Sequence, residues 1–215
     1  AMQVINQDEY TPMVIYKPGP VTLTRKAIGT RYVMALVRTL VDPNDPKDVA
    51  EVHKLQDAIK VVQKVPGKFE LPVWDEASHK KVKDALLVLA TTLPSFRGSF
   101  GAKGEVNPVH HLIGAAAGWG GNPDKDAIYL AVTPANNDGK GVYKLTVKGV
   151  PVQGFWSISV YNSRGYFEQN AYNAYSVNDI TAKKNPDGSV TVQFGGCDGK
   201  IANCLPITNG WNYTV

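Results

Sequence analysis

The residues best suited to acid–base chemistry are two adjacent histidines and two carboxylates, His110, His111, Glu168 and Asp198. Histidine titrates near neutral pH and can act as a general base, while a carboxylic acid can protonate a leaving group. This set predicts, at most, a hydrolase- or lyase-like enzyme. The alternative is that one histidine is buried and hydrogen-bonded in the core. Neighbouring side chains on a helix diverge by about 100°, so the two histidines cannot bind one metal ion together, and we expect no metal site.

The stretch most suggestive of binding is residues 166–175, in which tyrosines alternate with amides. Such side chains stack on sugars or other planar ligands and form hydrogen bonds with their edges. The structural alternative is a long connection held by aromatic anchors, or an interface with a second chain. The residues that we expect to bind a ligand are Trp119, Tyr161, Tyr166, Tyr172, Tyr175 and Asn203. No cofactor is expected.

The only cysteines are Cys197 and Cys204, with six residues between them. Two cysteines cannot complete a zinc site, and no histidine lies near them in sequence. A disulfide would close a short loop and contribute about 2.5 kcal/mol through chain entropy. The alternative is a pair of reduced thiols that flank a turn. The disulfide is favoured and predicts a periplasmic or exported protein, with a cytoplasmic location as the alternative.

Composition excludes several classes of protein. The 215 residues are 43% hydrophobic and 20% charged, which is ordinary for a soluble globular chain. The net charge of +4 comes from scattered lysines, whereas a nucleic-acid-binding face needs a denser basic stripe. No run of 18 apolar residues exists, so we expect no transmembrane helix.

Three helices are predicted in the first half of the chain. Asp45 and Pro46 favour a helix start, and an apolar stripe runs to Val62. A second helix begins at Asp75, and a third begins at Asn107. The first two helices have one apolar face each, so both are expected to dock on another surface. Residues 31–41 are strongly apolar but fit neither the helical nor the strand period cleanly, and Gly29 and Asp42-Pro43 on either side favour a strand over a short helix.

The second half of the chain is expected to be β-structure centred on residues 154–161, with Trp156 buried. The predicted strands are residues 127–133, 142–147, 155–161, 175–182, 189–194 and 211–215. The turns at residues 136–139 and 185–188 predict two hairpins. The predicted fold class is therefore α+β. A helical and extended segment, residues 1–95, precedes an antiparallel, jelly-roll-like β-sandwich at residues 96–215.

Several separated motifs carry a family resemblance. They are Gly118-Trp119-Gly120-Gly121-Asn122-Pro123, Gly154-Phe155-Trp156-Ser157-Ile158-Ser159-Val160-Tyr161, Asp187-Gly188-Ser189-Val190 and Asn203-Cys204-Leu205-Pro206. In this order they resemble the bacterial family called domain of unknown function 1214, from about residue 96 to the end. Residues 37–42 and 55–57 resemble the tail of the partner domain of unknown function 1254. The resemblance implies a C-terminal sandwich joined through helices to a preceding one, and no established activity.

This chain departs from the family pattern because most of the partner domain is missing. The family's last strand usually continues into an Arg-Leu-Tyr-x-Pro motif, which is absent here. We therefore expect a fragment of a longer protein. The predicted function is a module that binds a small molecule, a carbohydrate or a partner chain through its aromatic surface. The expected protein partner is the preceding domain or a second copy of the chain.

Overall fold

The computed structural model describes residues 1–215 and contains both helices and antiparallel sheets. The helices are α1 (Arg25–Ile28), α2 (Pro46–Asp57), α3 (Glu76–Ala90) and α4 (Pro108–Ala117). The strands are β1 (Met2–Asn6), β2 (Met13–Ile15), β3 (Val33–Val37), β4 (Ala131–Val132), β5 (Tyr143–Val147), β6 (Ser157–Tyr161), β7 (Ser176–Asn178), β8 (Val190–Phe194), β9 (Cys204–Leu205) and β10 (Asn212–Thr214). No helix is long and apolar enough to cross a membrane.

The chain divides into two compact units, Ala1–Ile128 and Tyr129–Val215. The sequence predicts a boundary after residue 95, whereas α4 and the glycine-rich turn after it belong to the first unit. The side chain of Gln3, on β1, explains this placement. Its amide nitrogen donates hydrogen bonds to the carbonyls of Gly120 and Gly121 at 3.1 and 3.0 Å, so the turn after α4 is tied to the N-terminal sheet.

The first unit contains a three-stranded antiparallel sheet in the order β2-β1-β3. Val4 lies opposite Met13 on one side and Ala35 on the other. Val4 and Ile5 are fully buried in the central strand. The strand predicted within residues 31–41 is confirmed as β3. The strands β1 and β2 were not expected, because prolines and glycines interrupt the sequence around them.

The three predicted helix starts are confirmed. At each start, a side chain just before the first turn accepts hydrogen bonds from backbone N–H groups of that turn. The Asp45 carboxylate accepts a hydrogen bond from the Lys47 N–H at 2.8 Å. Asp75 and Asn107 cap α3 and α4 in the same way. Of the first two predicted helices, α3 docks within this chain, because it packs against α4. Only Val52 is buried on α2, and no residue of α3 is fully buried, so most of the apolar face of each helix stays exposed.

The second unit contains two sheets, one in the order β4-β10-β6-β7 and one in the order β5-β8-β9. All strand pairs are antiparallel except β8 and β9, which are parallel. Both sheets contribute side chains to one hydrophobic core. Its buried residues are Ile158, Val160, Val177, Val190, Val192, Phe194, Leu205 and Trp211.

The two predicted hairpins are wrong. The strand β4 pairs with β10 instead of β5, and β7 pairs with β6 instead of β8. Residues 185–188 do form a turn, closed by a hydrogen bond from the Gly188 N–H to the Asn185 carbonyl at 2.9 Å. This turn connects strands of different sheets. A turn sequence reverses the chain, but it does not determine which strand receives the backbone hydrogen bonds.

The central segment is a strand, as expected, and β6 lies between β10 and β7. Ile158 and Val160 point into the core and are 0% and 8% exposed. Trp156 itself is only half-buried and packs against the core from its edge. The fully buried tryptophan is Trp211, whose ring centroid lies 5.2 Å from that of Phe194.

Candidate ligand-binding cleft

A shallow cleft opens in the second unit beside the connection between β6 and β7. Its empty space, including the part open to solvent, is about 250 Å³. The lining residues are Val160, Tyr161, Asn162, Glu168, Asn170, Ala174, Tyr175, Pro206 and Thr208. The structure thus brings together three residues that the sequence singled out, Tyr161, Glu168 and Tyr175.

Asn162 shapes the first part of this connection. It directly follows β6 and is 6% exposed. Its side-chain oxygen accepts hydrogen bonds from the Arg164 and Tyr166 N–H groups at 2.9 and 3.1 Å. Its amide nitrogen donates to Oε2 of Glu168 at 2.7 Å. One buried side chain therefore closes the turn and orients the carboxylate of Glu168.

Asn170 shapes the second part of the connection. Its side-chain oxygen accepts hydrogen bonds from the Tyr172 and Ala174 N–H groups, both at 3.1 Å. Its amide nitrogen donates to the Glu168 and Ala174 carbonyls. Neither asparagine was predicted to be a site residue, although Asn170 belongs to the tyrosine- and amide-rich stretch of residues 166–175. The available signal was the tendency of asparagine to bond its own backbone two to four residues ahead.

The aromatic side chains of the connection pack on one another. The Phe167 ring stacks on Tyr161 with a centroid distance of 5.0 Å and an interplanar angle of 9°. The Phe167 and Tyr175 centroids are 5.5 Å apart. This packing orders both tyrosines beside the carboxylate of Glu168.

Four polar atoms of the cleft have no hydrogen-bond partner within the protein. They are the hydroxyls of Tyr161, Tyr175 and Thr208 and the Oε1 atom of Glu168. Glu168 also takes part in no ion pair. The cleft therefore offers three hydroxyls and one carboxylate oxygen to a ligand.

Two of the other predicted ligand residues contact the protein itself. The Tyr172 hydroxyl donates to the Cys197 carbonyl at 3.0 Å, and its ring packs against Gly199, where an added Cβ would lie 3.2 Å from it. Cys197 is joined to Cys204 in a disulfide. The side-chain amide of Asn203 donates to the Lys183 and Thr191 carbonyls at 2.8 and 3.1 Å.

The last two predicted ligand-binding residues, Tyr166 and Trp119, lie outside the cleft lining. Tyr166 belongs to the same connection, but its side chain is 68% exposed. Trp119 belongs to the first unit, where it follows α4 and is also exposed.

The candidate base His111 is buried on α4 and contacts backbone through both ring nitrogens. Nδ1 lies 2.9 Å from the Ser99 carbonyl, and Nε2 lies 3.0 Å from the Asp8 carbonyl. Its ring stacks on Tyr10 with a centroid distance of 4.0 Å. This is the buried, hydrogen-bonded arrangement that was the alternative to a catalytic base. The adjacent His110 is half-buried.

Glu9 lies close to His111 in the first unit. Burial raises the pKa of the Glu9 carboxyl above its usual value, while the hydrogen bond from the Gly120 N–H and the nearby His111 lower it. The distance from the Gly120 nitrogen to Oε2 of Glu9 is 3.3 Å. The carboxylate of Glu9 therefore helps to join the turn before β2 to the turn after α4.

The candidate acid Asp198 caps a turn within the disulfide loop. Its Oδ1 atom accepts hydrogen bonds from the Lys200 and Ile201 N–H groups at 2.8 and 2.9 Å. These two bonds hold the pKa of Asp198 below its usual value. An exposed carboxyl with a lowered pKa is a poor proton donor at neutral pH. No group of three or more histidine, cysteine or acidic side chains in residues 1–215 is placed to hold a metal ion.

Comparisons with known proteins give two likenesses to solved structures and one family match over part of the chain. The crystal structure of the VPA0106 protein from Vibrio parahaemolyticus matches with a TM-score of 0.50 and 20% identity. The match covers 88% of this chain and 55% of that one, so this chain spans about half of the Vibrio protein. A putative uncharacterised protein from Burkholderia cenocepacia matches with a TM-score of 0.32 and 22% identity, over 40% of this chain and 24% of its own.

The likeness to the Vibrio protein concerns the fold alone, because the identity is low. No curated protein matches the chain. The resemblance of the N-terminal residues to a partner family stays a prediction. The motifs predict the family called domain of unknown function 1214 from about residue 96 to residue 215. Residues 128–215, which include every residue that lines the cleft, match the family described as "Protein of unknown function (DUF1214)".

Proposed function

We propose that the second unit is a non-catalytic binding module whose cleft holds a small hydroxyl-bearing molecule of the carbohydrate class. One observation carries this proposal. Three hydroxyls and one carboxylate oxygen line a single cleft without any partner in the protein. Polar groups that converge on a cleft in this way fix the orientation of a ligand.

The chemistry of these groups suits a polyhydroxylated ligand. Sugar hydroxyls both donate and accept hydrogen bonds, so they pair with tyrosine and threonine hydroxyls as well as with a carboxylate. The bond from Asn162 fixes Oε2 of Glu168, which leaves Oε1 to accept from a sugar hydroxyl. The space of about 250 Å³ includes open solvent, so the cleft is a shallow surface depression. We expect it to contact one face of a single sugar ring.

The arrangement supports binding more than catalysis. Glycoside hydrolysis requires two carboxyl groups on either side of the scissile bond, whereas the cleft lining contains only Glu168. The lining contains no histidine either. Both ring nitrogens of His111 are engaged by backbone carbonyls, so this histidine is not free to accept a proton from a substrate.

We also propose an architecture for the second unit and a cellular location for the protein. We infer a β-sandwich of the jelly-roll type, supported by the single core that the two sheets of the second unit share. The disulfide between Cys197 and Cys204 supports a periplasmic or exported location, since such bonds persist in oxidising compartments.

The experiment is an NMR titration of the isotope-labelled chain with D-glucose, D-galactose, D-mannose and N-acetyl-D-glucosamine. We expect at least one of these sugars to shift the amide signals of residues 161–175 in a saturable manner. Tyr175→Phe removes one hydroxyl, and Glu168→Gln replaces the charged acceptor Oε1 with an uncharged amide N–H donor. Each should weaken binding about tenfold, as the loss of one hydrogen bond to a charged or polar group does. Glu168→Gln retains an oxygen that can accept from Asn162, so the loop is preserved.

The matched control is Tyr166→Phe, which removes a hydroxyl from the same connection but outside the cleft. It should leave the affinity unchanged. Absence of any saturable shift with all four sugars would contradict the proposal. An affinity for the sugar that is the same in Glu168→Gln as in the wild type would also contradict the proposal.

A further inference from the structure

Residues 59–74 expose an unusual amount of apolar surface in the first unit. The six most exposed large side chains there are Val61, Val62, Val65, Phe69, Val73 and Trp74, between 69% and 101% exposed. Isolated apolar side chains are normal on a protein surface, but a large group of them marks an interaction site. The following helix α3 adds Val82, Val88 and Leu89, which are also exposed.

The segment has few contacts with its own chain. No residue from 60 to 74 forms a hydrogen bond between main-chain groups. The Tyr32 hydroxyl accepts from the Glu70 N–H at 2.8 Å and donates to the Glu70 carbonyl at 2.9 Å. Arg31 pairs with Glu70 at 3.1 Å, and the Tyr32 and Phe69 rings meet edge to face. The segment is thus held near residues 69–70, while most of its side chains and backbone groups are available to a partner.

The area of the exposed patch matches the requirement of a stable dimer. Taking about 150–250 Å² for an aromatic side chain and less for a valine, the six side chains expose on the order of 700 Å² in total. A specific interface of standard size buries about 800 Å² on each partner. The exposed residues of α3 add to this area.

The charges of the segment are arranged in a self-complementary pattern. Lys60 and Lys64 lie in its first half and Lys68 lies just past its midpoint, and no acidic residue occurs between positions 58 and 69. Asp75 and Glu76 directly follow the other end, beyond Glu70, which pairs with Arg31 of the same chain. A two-fold axis that pairs two copies antiparallel brings the basic part of each copy opposite the acidic end of the other. This pattern specifically favours a second copy of the same chain as the partner.

We propose that residues 59–74 form a homodimer interface, in which the segments of two copies pair antiparallel across a two-fold axis. The apolar side chains supply the buried surface, and the lysines and acidic residues fix the direction. The residues of this interface belong to the first unit, whereas the residues that line the cleft belong to the second.

The first test is sedimentation velocity of the whole chain over a range of concentrations. We expect a monomer–dimer equilibrium, with the dimer dominant at 100 µM. The double variant Val61→Asp/Val73→Asp should weaken the association at least a hundredfold. Both side chains are exposed in the isolated chain, so the variant should keep its fold, which circular dichroism checks. The matched control is Val152→Asp, an exposed valine of the second unit, which should dimerise like the wild type.

The second test examines the direction of pairing. Antiparallel pairing places the middle of the segment next to its own copy, so Gly67→Cys should form a disulfide-linked dimer on mild oxidation. Lys60→Cys lies near one end and should not. A chain that stays monomeric at 100 µM would overturn the proposal and leave another part of a longer polypeptide as the partner. A dimer unaffected by Val61→Asp/Val73→Asp, or one cross-linked through Lys60→Cys but not Gly67→Cys, would also overturn it.

Discussion

The side-chain amide of Asn162 donates a 2.7 Å hydrogen bond to the carboxylate of Glu168, six residues further along the chain. The same buried side chain accepts from two backbone N–H groups of the intervening turn. The loop conformation and the orientation of the acid therefore depend on one residue. Glu168 is exposed and would otherwise be free to adopt several rotamers.

Replacing this residue tests its role. We expect Asn162→Ala to lower the free energy of unfolding by about 3 kcal/mol, because it removes three hydrogen bonds and leaves buried polar groups without partners. Urea denaturation measures the change. Gln169→Ala, in the same connection and exposed, should change stability by less than about 0.5 kcal/mol. Equal effects of the two substitutions would contradict the assignment.

His111 gives a second prediction, because its two contacts are structural. We expect His111→Leu to lower the free energy of unfolding by about 2 kcal/mol, since the Ser99 and Asp8 carbonyls then lose their partner. Thermal or urea denaturation measures this loss. The exposed His53 serves as the control, and His53→Ala should be nearly neutral. If His111→Leu is as stable as the wild type, the histidine has no structural role.

The disulfide gives a third prediction. The double variant Cys197→Ser/Cys204→Ser should lose about 2.5 kcal/mol of stability, because the unfolded chain regains the entropy of a short closed loop. Denaturation of the wild type with and without dithiothreitol should show the same difference. The reductant should have no effect on the variant. An effect of dithiothreitol that persists in the variant would show that it does not act through this bond.

Tyr16 gives a prediction about alkaline pH. Its hydroxyl donates a 2.5 Å hydrogen bond to Asp126, and this bond raises the pKa of Tyr16 to about 12. The usual value for tyrosine is about 10. A phenol with a higher pKa in the folded state stabilises that state while it is protonated. This contribution is complete below about pH 10 and is lost as the pH rises towards 12.

Ultraviolet titration of the folded protein measures this shift. The chain has ten tyrosines, and Tyr16→Phe should remove the ionisation near pH 12 while leaving the others in place. Asp126→Asn removes the negative charge and should bring the pKa of Tyr16 back towards 10. A late ionisation that survives in Tyr16→Phe would belong to another tyrosine.

Features that depend only on neighbouring residues could be predicted from the sequence. The starts of α2, α3 and α4 are examples, because Asp45, Asp75 and Asn107 bond backbone groups only two or three residues ahead. The strand character of β6 follows in the same way from its own β-branched and aromatic residues. The tyrosines and amides of residues 166–175 also favoured a binding role for the connection after β6, because they are neighbours in the sequence.

The pairing of the strands, the burial of one tryptophan and the meeting of polar groups follow from the three-dimensional packing of the chain. Trp211 lies in the core because Phe194 and Tyr143, distant in sequence, pack around it. The side chain of Asn203 bonds the Thr191 carbonyl because β9 lies beside β8. Glu168 lines a cleft because Pro206 and Thr208 lie close to the connection after β6. These outcomes depend on contacts between residues far apart in the chain. Local propensity carries no information about such contacts, since the same turn or strand sequence is compatible with more than one partner.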